Sequence, residues 1–115
     1  MSRDIPYEAK VLYKRMSRDP MVNMTHHWKL VTLLIGNNDF CTDMCYYPKP
    51  EKVLELHEQN MLQTFRYLRD NVPRLMINVV PSPNLRMLTR FKGLPKHCYT
   101  TLRFECPCLI GKPKK

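Results

Sequence analysis

The residues best suited to chemistry are four consecutive ones, Gly36, Asn37, Asn38 and Asp39, which directly follow an apolar run. Glycine permits the sharp backbone turn by which a chain leaves a strand. An asparagine amide held in such a turn can donate a hydrogen bond to the negative charge on a reacting carbonyl oxygen, and one such donor lowers the barrier by about 3 kcal/mol. Asp39 can accept backbone N–H bonds and hold the turn rigid. The alternative is a plain loop, because Asn, Asp and Gly are also common turn residues.

A strand, a helix and a second strand are predicted around this turn. Residues 28–35 are short, nearly all apolar and closed by Gly36, which is typical of a central strand covered on both faces. Residues 50–72 form an amphipathic helix bounded by prolines, and residues 74–80 form the second strand. This order is a βαβ crossover, so we expect parallel strands with a right-handed connection.

The sequence predicts fewer helices and strands in the remaining segments. Residues 5–18 repeat apolar side chains at helical spacing after Asp4, a residue type that can cap a helix. A short helix is expected near residues 85–91, and loops are expected beyond it to the lysine-rich end of the chain. The predicted fold class is therefore α/β. In such sheets ligands bind beyond the carboxyl ends of the strands, where residues 36–39 lie.

Length and composition indicate one globular domain over residues 1–115. Apolar residues make up 43% of the sequence and aromatic residues 10%, which differs from a disordered chain. The longest apolar run, residues 30–35, is far shorter than the roughly 20 residues that a membrane span needs. The polar, charged start offers no signal-peptide core. We therefore expect neither an integral membrane protein nor a chain that enters the secretory route by its own N-terminus.

Positive charge is concentrated in the second part of the chain. Residues 1–73 have a net charge of +1, whereas residues 74–115 have a net charge of +8 and a single acidic residue, Glu105. Such a block can attract nucleic acid or an anionic membrane surface, which makes a small basic binding module the alternative function. It can equally be a solvated face, or part of a larger protein, because its basic residues are scattered. No aromatic-interleaved motif supports a nucleic-acid partner.

Five cysteines leave several pairings open. An oxidising compartment would explain most of them as disulfide partners with one left over, as in an excerpt of a longer secreted protein. A zinc site is conceivable from Cys41, Cys45, His97 and Cys106 or Cys108. Their spacing is not that of paired knuckles, so we expect no metal. The connectivity does not follow from sequence. The five cysteines are Cys41, Cys45, Cys98, Cys106 and Cys108.

Several short motifs follow one another in a fixed order. They are Asp19-Pro20, then Trp28-Lys-Leu-Val-Thr-Leu-Leu-Ile-Gly-Asn-Asn-Asp-Phe-Cys41, then Val72-Pro73-Arg74 before an apolar strand with Asn78-Val79, then Pro81-Ser82-Pro83 with Leu85-Arg86, and finally Cys106-Pro107-Cys108-Leu109. This set resembles the SGNH (GDSL-type) hydrolases, most closely their membrane-associated phospholipase B branch. The resemblance covers nearly the whole chain. Gly-x-Asn-Asp alone is a weak signal, but the ordered set is fairly specific.

The resemblance implies an esterase that hydrolyses phospholipids and lysophospholipids through a serine acyl-enzyme, without a cofactor. On this mapping Asn38 is the oxyanion-hole side chain, Gly36 and Asp39 support the turn, and Asn37 replaces a glycine usual in this branch. The implied fold is a three-layer α/β/α, flavodoxin-like domain, present here in part. The family is extracellular or associated with the plasma membrane. The same context favours a Cys41–Cys45 disulfide, with a second bridge among the other three cysteines.

The family's other catalytic groups are missing from the sequence. The family's nucleophile is the serine of a Gly-Asp-Ser motif, and no serine here follows Gly-Asp. The family's second oxyanion-hole donor is a glycine upstream of the first helix, and no glycine precedes Gly36 in this sequence. The family's acid and base lie in Asp-x-x-His, and no histidine here has an aspartate three residues earlier. We expect ordinary surface roles for the histidines. The chain is thus predicted to be the middle of such a domain, inactive alone, with open sheet edges that favour aggregation. The serines are Ser2, Ser17 and Ser82, and the histidines are His26, His27, His57 and His97.

Overall fold

The fold, seen in a computed structural model that describes residues 1–111, combines a two-stranded sheet with helices. The lysine-rich end, residues 112–115, lies outside the described residues. In chain order the elements are a 3-10 turn (Ser2–Asp4), α1 (Ile5–Met16), β1 (Lys29–Leu34), a π-helical turn (Asp39–Asp43), a 3-10 turn (Met44–Tyr46), α2 (Glu51–Asn71), β2 (Leu75–Val80), a 3-10 helix (Leu85–Arg90), α3 (Lys96–Glu105) and α4 (Pro107–Ile110).

The two strands are parallel and joined through α2, as the sequence predicts. They pair in register from Lys29 opposite Leu75 to Leu34 opposite Val80. A parallel pair needs a crossover of a dozen or more residues, and the 21-residue α2 provides it. Both strands therefore end at the same edge of the sheet, so the segments that follow them lie side by side there.

The core lies between α1, α2 and one face of the sheet. Ala9 of α1 and Leu68 of α2 are buried together with Val72, and Leu75 and Ile77 of β2 pack against them. The expected helices over residues 5–18 and 50–72 are confirmed. Asp4 occupies the N-cap position of α1, but its side chain makes no capping hydrogen bond.

The other face of the sheet is open in the described residues, which corrects one expectation. The apolar run of β1 predicts a strand covered on both faces. Leu30 and Leu34 are instead 66% and 60% exposed, as is Met76 on β2 at 61%. The reason is that α1 and α2 both pack on one face, while nothing in residues 1–111 covers the other. Among these residues no helix combines the length and apolar character of a membrane span.

The region expected to be loops contains helices. The 3-10 helix Leu85–Arg90 confirms the short helix expected there, but α3 and α4 occupy much of the segment that follows. The prediction of loops is wrong here because neither helix buries a residue within its own span. Without a buried stripe the sequence gives no helical periodicity. Proline precedes α3 and begins α4, consistent with the position of proline at helix starts.

Candidate functional site

Gly36 begins the turn that follows β1, and its position requires glycine for two reasons. Its φ of +114° lies in a region that side-chain-bearing residues rarely adopt. A Cβ there would also lie 3.1 Å from Cε1 of His57 and 3.1 Å from Cε2 of Phe40. The predicted role of glycine as the exit from the strand therefore has a second component, which is close packing against an imidazole ring.

Asp39 fixes the far end of this turn. Its carboxylate is buried and accepts hydrogen bonds from the backbone N–H of Ser2 at 3.0 and 3.1 Å and from the Ser2 hydroxyl at 2.8 Å. The backbone N–H partner thus comes from the start of the chain, rather than from the turn itself. Because Ser2 begins the helical segment that continues into α1, this contact connects the turn to the helical layer.

The two asparagines between Gly36 and Asp39 have different surroundings. Oδ1 of Asn37 accepts a hydrogen bond from the hydroxyl of Ser82, which follows β2. Asn38 is exposed, and within residues 1–111 its side-chain amide has no hydrogen-bond partner. Only its backbone carbonyl is engaged, by the hydroxyl of Thr42 at 2.6 Å. The amide of Asn38 therefore remains available to donate to a ligand.

The cysteines pair differently from the expectation. Cys41 is bonded to Cys106 and Cys45 to Cys108, so the expected Cys41–Cys45 bridge is wrong. Residues 41 and 45 are four apart in consecutive helical turns, which places their side chains on one side, facing α4. The two bridges attach α4 and the residue before it to the segment after β1. Cys98 is the free thiol, and the described residues contain no cluster suited to a metal.

A cavity of about 530 Å³ lies beside the turn. Its lining comes from the segment after β1, with Phe40 and Met44, from the segment after β2 and from α4, with Leu109. The cavity is therefore at the carboxyl-end edge of the parallel sheet, where ligands of α/β proteins bind. Asn38 is not one of its lining residues, so the structure places the free amide outside it. Its lining comprises Phe40, Met44, Cys45, Pro50, Ser82, Pro83, Asn84, Leu85, Arg86, Cys108 and Leu109.

His57 has a role that the sequence does not reveal. Its ring lies 5.3 Å from that of Phe40, tilted by 55°, and contacts the position where a Gly36 side chain would be. Its Nδ1 is buried with no hydrogen-bond partner among the described residues. His57 lies beside the apolar stripe of α2, which alone suggests a boundary position. The contact with the turn depends on tertiary packing and leaves no signal in the sequence.

The other histidines and the serines form no catalytic pair among the described residues. His26, His27 and His97 are exposed, as expected. None of the histidines hydrogen-bonds to a serine hydroxyl within residues 1–111, and the hydroxyls of Ser2 and Ser82 bond to Asp39 and Asn37. The described residues thus contain no serine–histidine pair of the kind that nucleophilic catalysis needs.

The pKa values of two neighbouring side chains are shifted at the far end of α2. The hydrogen bond from Arg69 to Asp70, at 2.7 Å, lowers the pKa of Asp70 and raises that of Arg69. Both groups are exposed near the carboxyl end of the helix, whereas His57 and the cavity lie near its start. This ion pair therefore has no part in the candidate site.

The comparisons with known proteins point to one class, the phospholipases B. The chain is similar to "Phospholipase B1, membrane-associated" of Mus musculus, with 35% identity over 108 residues. The proteins of the same name from Homo sapiens and Rattus norvegicus are 35% identical over 108 residues and 34% identical over 110. Each match covers 94% of this chain and 7% of the relative.

The resemblance to membrane-associated phospholipase B inferred from the motifs is thereby confirmed: the chain is phospholipase B-like over nearly its full length. It spans about 7% of the length of these relatives and so corresponds to a short section of them. No family model matches the chain. No solved structure matches it either.

Proposed function

We propose that these residues are the middle section of an SGNH-type acyl-ester hydrolase and supply its oxyanion-hole block. The observation that supports this most is the free, exposed amide of Asn38 at the carboxyl end of β1. Gly36 and Asp39 hold the backbone on either side of it, through close packing and a buried carboxylate. A donor whose backbone is already held in place needs less reorganisation to stabilise developing negative charge.

The substrate class we propose is phospholipid, as the names of the relatives suggest, or lysophospholipid, as the resemblance of the motifs implies. Attack on an acyl ester carbonyl places negative charge on its oxygen, and the Asn38 amide would donate to that oxygen. The serine nucleophile and its base would come from residues outside this chain. We therefore expect the 115-residue chain to have no serine-reagent-sensitive esterase activity of its own.

The open sheet face supports a partial domain. Leu30, Leu34 and Met76 form an exposed apolar surface opposite α1 and α2. In a three-layer α/β/α fold this surface would be covered by a second layer of helices, and the free strand edges would pair with further strands. The hydrolase containing this section would act outside the cell or at the plasma membrane, where the two disulfides are stable.

The test is ester hydrolysis by a chain that contains this section together with the serine and histidine. Asn38→Ala should lower kcat by about two to three orders of magnitude. Asn37→Ala is the matched control, because the Asn37 side chain is held through its oxygen by Ser82 and is not the proposed donor, and it should lower kcat less than Asn38→Ala does. An unchanged kcat in Asn38→Ala would remove Asn38 from the mechanism.

The second half of the described chain favours contact with an anionic membrane as an additional property. Met87, Phe91 and Phe104 are exposed, and Phe104 is 77% exposed. Basic side chains alternate with them along the 3-10 helix and α3, including Arg90 and Arg103. Large apolar side chains among cations suit a lipid interface, where both can be accommodated. The alternative of a basic nucleic-acid-binding module rests on charge alone, and we do not propose it.

Vesicle sedimentation tests the membrane contact. The chain should bind vesicles that contain phosphatidylserine, more weakly at higher salt, and should not bind phosphatidylcholine vesicles. Phe104→Ser should weaken binding, whereas Phe40→Leu, in the wall of the cavity, should not. Equal binding to both vesicle types would contradict the proposal.

A further inference from the structure

The cavity beside the turn has the character of a ligand site. Its volume of about 530 Å³ lies within the roughly 300–1,000 Å³ typical of small-molecule pockets. Most of its lining is apolar and includes Phe40, Met44, Leu85 and Leu109. The role proposed for Asn38 does not use this space, because that amide is outside the lining.

The polar groups of the cavity are unequal in their availability. The Ser82 hydroxyl donates to Asn37, and the Asn84 side chain accepts from the backbone N–H of Arg86. The guanidinium of Arg86 has no hydrogen bond or ion pair with any of residues 1–111, and it is the cation in the lining. An apolar space with one free cation at an exposed position suits a ligand with a hydrocarbon chain and one anionic end.

We propose that this cavity binds a single-chain anionic amphiphile, a fatty-acid carboxylate, with its chain among the apolar residues and its carboxylate at Arg86. The choice of an acyl ligand rests on the proposed function, since a fatty acid is the product of ester hydrolysis. The binding itself requires no catalysis. It therefore succeeds or fails separately from the role of Asn38.

The second disulfide forms part of the cavity wall. Cys45 and Cys108 both line the cavity and are bonded to each other, and the backbone N–H of Cys45 lies 3.1 Å from the Cys108 sulfur. This bridge holds α4, with Leu109, against the segment after β1. The cavity therefore depends on the bridge, and reduction of the disulfides is expected to weaken ligand binding.

Calorimetric titration of the full chain with saturated fatty acids tests the proposal. Each fatty acid is used at concentrations below those at which it aggregates. Octanoate, decanoate and dodecanoate should bind one per chain, and each added methylene should strengthen binding by about fourfold until the cavity is filled. Dodecanol should bind more weakly, and dodecyl phosphate distinguishes a requirement for carboxylate from a requirement for any anion. Non-saturable binding, or affinity independent of chain length, would overturn the proposal.

Matched variants locate the ligand. Arg86→Gln should weaken dodecanoate binding by up to about fivefold and leave dodecanol binding unchanged, because an exposed ion pair contributes little. Arg90→Gln, in the same 3-10 helix but outside the lining, should change neither. Leu109→Asp and Leu85→Asp should each abolish binding of both ligands, provided that circular dichroism shows a folded chain. Equal effects of Arg86→Gln and Arg90→Gln would overturn the assignment of the carboxylate.

Asn38→Ala separates this proposal from the proposed function. The variant should bind dodecanoate as the unchanged chain does, because Asn38 is not in the lining. Normal fatty-acid binding with unaltered hydrolysis in that variant would contradict the oxyanion role alone. Absence of fatty-acid binding in the unchanged chain would contradict the cavity assignment alone.

Discussion

Ser2 and Asp39 form a buried polar contact across 37 residues of sequence, in which the serine N–H and hydroxyl both donate to the carboxylate. Ser2 and Asp39 are only 2% and 5% exposed. The contact joins the start of the chain to the turn after β1, so the position of the turn depends on residues far away in sequence.

Asp39→Ala should destabilise the chain by about 1–3 kcal/mol, because the buried N–H of Ser2 would lose its acceptor. Urea unfolding followed by circular dichroism measures the change. Ser2→Ala is the control, since it removes only the hydroxyl donor and keeps the backbone one, and it should cost less. Equal losses in the two variants would show that the backbone bond contributes nothing.

Gly36→Ala should also destabilise the chain, and by more than Gly93→Ala does. Both glycines have positive φ, so both substitutions introduce backbone strain of roughly 1–3 kcal/mol, and the strain is larger at Gly36, whose φ of +114° lies outside the left-handed helical region, than at Gly93, whose φ is +72°. Only at Gly36 does the new Cβ also meet His57 and Phe40, whereas nothing lies within 4 Å of the corresponding atom at Gly93. Thermal or urea unfolding gives the comparison, and identical losses would contradict the close packing.

The two disulfides should stabilise the chain non-additively. They close nearly the same loop, with sequence separations of 65 and 63 residues. Replacing one pair with serine leaves the other bridge to close that loop, so the expected loss is on the order of 2 kcal/mol. Replacing both pairs should cost more than the sum, on the order of 6 kcal/mol. Unfolding of the three variants tests this, and a strictly additive result would be inconsistent with it.

His57→Phe should raise stability by about 1 kcal/mol. The variant retains a ring against Phe40 and removes a buried nitrogen that has no partner within residues 1–111. His57→Ala, which loses the ring, should instead lower stability. Urea midpoints distinguish the two. A loss in His57→Phe as large as that in His57→Ala would mean that the ring nitrogen has a partner.

Local pattern in the sequence was sufficient for the central elements. The apolar run of β1, the amphipathic stripe of α2 and the apolar run of β2 are each determined by neighbouring residues, and together they predict the parallel pair that the structure shows. The turn at Gly36 follows from residue types that favour turns. For these elements local preference and tertiary structure agree.

The features that depend on distant contacts were not predictable. The pairing of Cys41 with Cys106 depends on how α4 docks, and α3 has no buried stripe to reveal it. The packing of His57 on Gly36 joins residues 21 positions apart through a turn whose geometry no single segment determines. The exposed face of β1 shows the converse, because its apolar run predicts burial whereas Leu30 and Leu34 are exposed in the structure of residues 1–111.

The most direct measurement is a crystal structure of a complete hydrolase domain that contains this section, inactivated by a phosphonate ester on its serine. The phosphonyl oxygen takes the place of the tetrahedral oxyanion. We expect Nδ2 of Asn38 to lie about 2.7–3.1 Å from that oxygen. An Asn38 side chain that points to solvent, with another residue donating to the oxygen, would contradict it.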